Sequence, residues 1–182
     1  MFSSAVSSIV ELARAASTPV TVLIDGPSGA GKTTLAAELR QAWPLDRTLV
    51  VLHLDDVYPG WSGLESASAY VRDSLMLARL TGQPARWQRW DWATSSPAQW
   101  HEIPANVDLV IEGCGAITHQ AAQIATTAVW VDESEPTRKL RALSRAEDDF
   151  ATHWDEWDAQ FAAFVERENP QAHASLFVGT NR

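Results

Sequence analysis

Residues 26–33, Gly26-Pro27-Ser28-Gly29-Ala30-Gly31-Lys32-Thr33, fit the phosphate-loop pattern G-x-x-x-x-G-K-[ST] at every fixed position, with Thr34 directly behind. Upstream, Val20 to Asp25 is a short apolar, β-branched run of the kind that makes a buried strand. Downstream, Thr33 to Arg40 holds good helix formers, with Leu35 and Leu39 four apart. Strand, glycine-rich loop and helix in that order turn successive backbone N–H groups and a helix N-terminus toward a polyphosphate. In such a loop Lys32 reaches the β- and γ-phosphates, and the Thr33 hydroxyl holds Mg²⁺.

The chain beyond the loop alternates strands with helices. An amphipathic helix with Val6, Ile9, Val10 and Ala13 on one face precedes the first strand. The second strand, Leu49 to Leu54, closes on Asp55-Asp56-Val57-Tyr58. A helix is expected from Ser66 to Leu80 with Tyr70, Val71, Ser74, Leu75 and Ala78 on one face, ended by Gly82 and Pro84. Residues 85–106 crowd Trp87, Trp90, Trp92 and Trp100 among arginines and prolines without clean periodicity, and read as a loop-rich insertion. A third strand follows at Asp108 to Glu112, a short helix near 119–125 and a fourth strand at Thr127 to Val131. Ser134 and Pro136 open the next helix. A last helix at 152–168 precedes a fifth strand at 174–178. The alternation predicts an α/β domain with a five-stranded parallel sheet, helices on both faces and ligands at the carboxyl ends of the strands.

Composition narrows the function classes. With 182 residues the chain suits one domain, and 46% hydrophobic with 20% charged residues is globular. A net charge of −9 argues against non-specific nucleic-acid binding, which needs clustered cations. A single cysteine, Cys114, suits a reducing compartment, and no run has the length of a membrane span. Residues 1–18 lack a basic leader and carry Glu11 and Arg14, so a signal peptide is not expected. The expectation is a cytoplasmic protein, monomer or homodimer, with neither nucleic acid nor membrane as partner. The five histidines and one cysteine show no zinc-ligand spacing.

Polar residues just past strand ends are the site candidates. Asp55, with Asp56 as its competitor, is placed to accept a hydroxyl proton or to steer Mg²⁺. Glu112 ends its strand and is the Mg²⁺-supporting carboxylate; Asp108 competes but lies at the opposite end. Arg138, Arg141 and Arg145 share a helix face, as a lid over a transferring phosphoryl group requires. Trp90-Asp91-Trp92, beside Arg89, offers rings for stacking and a carboxylate for hydroxyls. Trp43, Trp130, Trp154 and Trp157 are read as core.

Together these residues resemble the uridine-kinase-like group of small P-loop kinases. The group's acidic turn D-x-F-Y is similar to Asp55-Asp56-Val57-Tyr58, and its strand ending E-G to Glu112-Gly113. Its acceptor-loop Y-D-F is similar to Trp90-Asp91-Trp92, and its lid arginines followed by W-x-x-W-x-x-Q resemble Arg141, Arg145 and then Trp154 to Gln160. Val57, the two tryptophans around Asp91 and Arg145-Ala146 depart from that pattern. The resemblance implies a three-layer P-loop NTPase fold spanning residues 20–178. It implies a kinase that uses ATP and Mg²⁺ to phosphorylate a nucleoside-like hydroxyl compound. Asp55 would be the base, Glu112 the support for Mg²⁺, and Arg141 and Arg145 the phosphate clamp. Asp55 and Tyr58 of the acidic turn would line the acceptor site together with Arg89, Trp90, Asp91 and Trp92 of the acceptor-binding insertion at 85–106, with 137–150 as the lid. Two other readings stand beside it: an NTPase switch without a small-molecule acceptor, and a nucleoside monophosphate kinase. The latter would use Arg72, Arg79, Arg86 and Arg89 on an acceptor phosphate.

Overall fold

Five short runs rich in β-branched and aliphatic residues pair into one parallel sheet. In chain order they are β1 (Thr21–Asp25), β2 (Leu49–His53), β5 (Asp108–Glu112), β6 (Thr127–Asp132) and β7 (Leu176–Gly179), arranged β2-β5-β1-β6-β7. The computed structural model describes residues 2–145 and 149–179, with the side chains of Arg145 and Asp149 outside that description. β1 and β5 are buried along their whole length, as a parallel strand covered on both faces must be.

Alternation along β1 divides the core. Val22 and Ile24 face α1 (Ser3–Ala15) and α2 (Lys32–Ala42) in one cluster with Ile9, Leu35 and Leu39. Leu23 faces the opposite cluster, which includes Leu75, Trp130, Trp157 and Phe161. That second layer is made by α3 (Leu64–Tyr70), α4 (Leu77–Thr81), α5 (His119–Ile124) and α7 (Asp149–Glu168). α6 (Glu135–Arg145) follows β6, and the short α8 (Pro170–His173) precedes β7. α2 stops at Ala42, because Trp43 before Pro44 adopts an extended backbone. Trp43, Trp130, Trp154 and Trp157 are all buried. Trp43 Nε1 and the Arg47 guanidinium both donate to Asp108, which fixes that carboxylate at the amino end of the sheet, away from the phosphate loop.

Two expectations need correction. Residues 85–106 are not loop-rich: β3 (Ala85–Asp91) and β4 (Ser96–Ile103) form an antiparallel hairpin with an irregularity between Gln88 and Trp90. A two-stranded ribbon with little packed on it shows no clean alternation of apolar and polar residues, so the pattern was invisible. Its stability comes from cross-strand pairs such as the Trp87–His101 stack, with Arg86 over the Trp100 ring as well. The expected helix at 66–80 runs from Leu64 to Thr81 with a π-helical segment at Val71–Met76 between α3 and α4. Its wider turn shifts the phase, so Leu75 and Met76 are both buried and Ser74 is exposed.

Candidate functional site

β1 delivers Asp25 to the floor of the glycine-rich loop. Its carboxylate accepts from the backbone N–H of Gly26 (2.7 Å), Gly115 (3.0 Å) and Ile117 (2.8 Å), so it ties this loop to the loop after β5. Full burial pushes its pKa up to about 6, against the opposing pull of those three N–H groups and the Lys32 charge. Gly26 and Gly29 have φ of 145° and 80°, and a Cβ on either would collide with a backbone carbonyl, of Val131 and Arg138 respectively. Glycine at 29 therefore lets α6 lie directly against the phosphate loop. Gly31 is left-handed and offers no side-chain cap, so the first amides of α2 are left for a ligand.

Lys32 is buried, and its ammonium donates to the carbonyls of Gly26 (2.7 Å) and Pro27 (3.1 Å). Burial works against its charge but is outweighed by Cys114 and by the carboxylates of Glu112, Asp25 and Asp55, so its pKa is raised. Cys114 Sγ lies 3.5 Å from the ammonium, and burial keeps this thiol's pKa up. Thr33 Oγ1 donates to Glu112 Oε1 at 3.0 Å, and His53 Nδ1 meets the same oxygen at 2.6 Å. That bond to Glu112 raises the His53 pKa despite partial burial. A hydroxyl beside a carboxylate is a hard-oxygen pair of the kind Mg²⁺ takes while keeping several waters. Ala30 is buried beneath the loop, and Ser28 Oγ approaches Cys114 Sγ at 3.6 Å; Thr34 is exposed on the first turn of α2.

Asp55 and Asp56 lie in a 3₁₀ turn at the carboxyl end of β2. Asp55 is open to water on one side, yet the protein around it and then the Glu112 charge raise its pKa. Tyr58, 1% exposed, donates its hydroxyl to the Cys114 carbonyl at 2.8 Å and meets Trp157 edge-on. It therefore braces the turn from beneath. Trp92, 37% exposed, donates Nε1 to the Asp55 carbonyl at 2.8 Å, which brings the hairpin tip onto the acidic turn. Trp61, unremarked in the sequence, joins them: its ring lies 4.8 Å from Trp92 and stacks on His153 at 4.7 Å. Gln160 of α7 donates to the Trp61 carbonyl.

No family model matches the sequence, and no curated protein matches it either. Solved structures do match. One is described as a possible uridine kinase from Bacillus stearothermophilus: TM-score 0.65 and 18% identity, covering 97% of this chain and 98% of that one. Another is a candidate fructose transport system kinase from Silicibacter sp. TM1040: TM-score 0.60 and 16% identity, covering 97% and 98%. The chain has the fold of the uridine-kinase-like P-loop kinases.

Within this P-loop kinase fold the remaining predicted residues fall in two groups. In the hairpin, Arg89 pairs with Asp91 at 3.7 Å, and Trp90 Nε1 is buried without a hydrogen-bond partner among the described residues. In α6, Arg141 pairs with Glu133 at 3.2 Å, while Arg138 reaches Asp158 of α7 and lies over Trp154. The Arg145 side chain and Ala146 lie outside the described residues. Asp25, His53, Trp61 and Cys114 are the site residues that sequence reasoning did not single out. For His53 a signal existed, since it too stands at a strand's carboxyl end. Among the described residues, no helix is long and apolar enough to cross a membrane.

Proposed function

We propose that this protein is a phosphotransferase that moves the γ-phosphoryl group of ATP to a hydroxyl of a small, nucleoside-like acceptor. The observation that carries this reading is the convergence of three strand ends: the Lys32–Thr33 loop after β1, Asp55 after β2 and Glu112 closing β5. A nucleotide loop alone fits any NTPase. A carboxylate beside it, roofed by an aromatic hairpin, fits an acceptor as well.

In this reading the loop at 26–34 cradles the phosphates through its backbone N–H groups from Ser28 onward, and Lys32 carries positive charge to the β- and γ-phosphates. Thr33 and Glu112, with Asp55 nearby, would hold Mg²⁺, which supplies charge neutralisation at the phosphate oxygens. Asp55 accepts the proton of the attacking hydroxyl. Trp90, Asp91, Trp92 and Arg89 of the hairpin contact the acceptor, and the seating of Trp92 on the acidic turn supports that assignment. Tyr58 holds the acidic turn in place. Arg141 and Arg145 close over the transferring group as part of a lid at 137–150, within one domain.

The structure weighs against an acceptor phosphate. Arg72 is taken up by Asp73, Arg79 by Thr21 and the Ala105 carbonyl, Arg86 by the Trp100 ring and Arg89 by Asp91. A neutral hydroxyl compound needs no cationic partner for a phosphate, and Arg89 with Asp91 then serves it only as a hydrogen-bonding pair.

Asp55→Asn tests the base assignment. ATP affinity should be unchanged while turnover falls by about 10²-fold or more, the usual scale for a positioned base. Wild-type turnover in that variant would remove Asp55 from the mechanism. Trp92→Ala should raise the acceptor KM several-fold with ATP affinity intact. An unchanged acceptor KM would reduce Trp92 to a packing residue.

A further inference from the structure

We infer that His53 is a positioning residue that sets the orientation of Glu112 for the cation held with the nucleotide. The inference rests on the phosphoryl-transfer reading above. β2 and β5 pair in parallel with His53 directly opposite Glu112, so their side chains stand side by side at the carboxyl ends of neighbouring strands. Glu112 is buried, with 4% of its side chain exposed, so water does not set its direction. Two donors do. Thr33 Oγ1 at 3.0 Å and His53 Nδ1 at 2.6 Å both meet Oε1. A carboxylate oxygen accepts, so Nδ1 carries the hydrogen and the imidazole tautomer is fixed by this contact.

The two donors differ in what else is asked of them. Thr33 turns its oxygen to the cation in the proposed function, which loosens its own hold on Glu112. His53 contacts no phosphate or cation in that scheme and remains as the fixed donor. It holds Oε1 in place and leaves Oε2 for the cation in that scheme. Partners of this kind, one bond behind a metal-supporting group, change metal affinity by about 10- to 100-fold when removed.

The test uses Mn²⁺ as a paramagnetic probe, titrated into the full chain with a non-hydrolysable ATP analogue and read by electron paramagnetic resonance. His53→Ala should weaken Mn²⁺ binding in that complex by about 10- to 100-fold. Affinity for the analogue without metal should stay as in the wild type. His53→Asn, whose amide nitrogen sits near the place of Nδ1, should recover most of the loss. Equal Mn²⁺ affinity in wild type and His53→Ala would overturn the positioning role alone. Equal loss in the Ala and Asn variants would overturn it too, because the hydrogen bond would then not be the cause. A wild-type chain that binds no Mn²⁺ beside the analogue would overturn the phosphoryl-transfer reading, and this role with it.

Discussion

Asp25→Ala should destabilise the folded protein by several kcal/mol, and by more at pH 4.5 than at pH 7. The substitution strands three buried backbone N–H groups, of Gly26, Gly115 and Ile117, which the carboxylate satisfies. Each costs about 1–3 kcal/mol when left unpaired. Relief of a buried charge works in the other direction. The Asp25 pKa rises from 3.8 to about 6, so the folded state binds its proton more tightly than the unfolded chain does. That proton's contribution is fully present below pH 3.8 and is lost as pH rises through about 6. At pH 7 the carboxylate is charged and costs about 3 kcal/mol relative to an unperturbed one, at about 1.4 kcal/mol per pH unit. The three lost hydrogen bonds outweigh this relief, so the variant is still less stable. Urea unfolding at the two pH values measures both statements. Asp25→Asn keeps an oxygen for Gly26 and Gly115 and should lose less, with the pH-dependent part abolished. A deficit in Asp25→Ala that does not change between pH 4.5 and pH 7 would mean that Asp25 titrates as an ordinary aspartate.

Lys32→Ala should abolish phosphoryl transfer, by about 10³-fold or more, the upper scale for deleting one preorganised charge donor in a water-poor site. The ammonium is buried and held by Gly26 and Pro27 carbonyls beside Cys114, so no neighbouring cation moves easily into its place. Lys32→Met, which keeps the length of the chain and removes the charge, should be equally inactive. That pair separates charge from packing: activity in Lys32→Met near the wild-type level would show that the ammonium is dispensable. Steady-state turnover with labelled ATP reads the effect, with the unfolding midpoint measured alongside to show that the fold survives.

How much of this was legible in the sequence depended on how far each residue reaches. The phosphate loop could be read because its glycines are needed for local backbone reasons, and its flanks reveal themselves by period. Glu112 and Asp55 could be read because a strand's carboxyl end is a place that the pattern itself marks. Asp25 could not, since two of its three partners lie 90 and 92 residues away and are backbone groups without any signature. His53 stands at a strand's carboxyl end as Glu112 and Asp55 do, but its partner was not legible: only the pairing of β2 with β5 sets it against Glu112. The hairpin at 85–106 is not legible because only its base, Ala85 and Ile103, is buried in the core, while the rest of both strands is half-buried or exposed. The phase slip at Val71–Met76 was missed because an extra residue per turn leaves both neighbours apolar. Trp61 carries no distinguishing sign among nine tryptophans, and its place between Trp92 and His153 follows from three separate segments meeting.

The most direct test of the account is the fate of the γ-phosphoryl group. The full chain, Mg²⁺ and γ-labelled ATP would be incubated with a panel of nucleosides, nucleoside monophosphates, vitamins and sugars, and organic phosphate esters resolved from inorganic phosphate. The account predicts a labelled ester of a neutral hydroxyl compound that is absent with Lys32→Ala. Label found only as inorganic phosphate, at a rate indifferent to every acceptor, would contradict it and make the protein an NTPase switch.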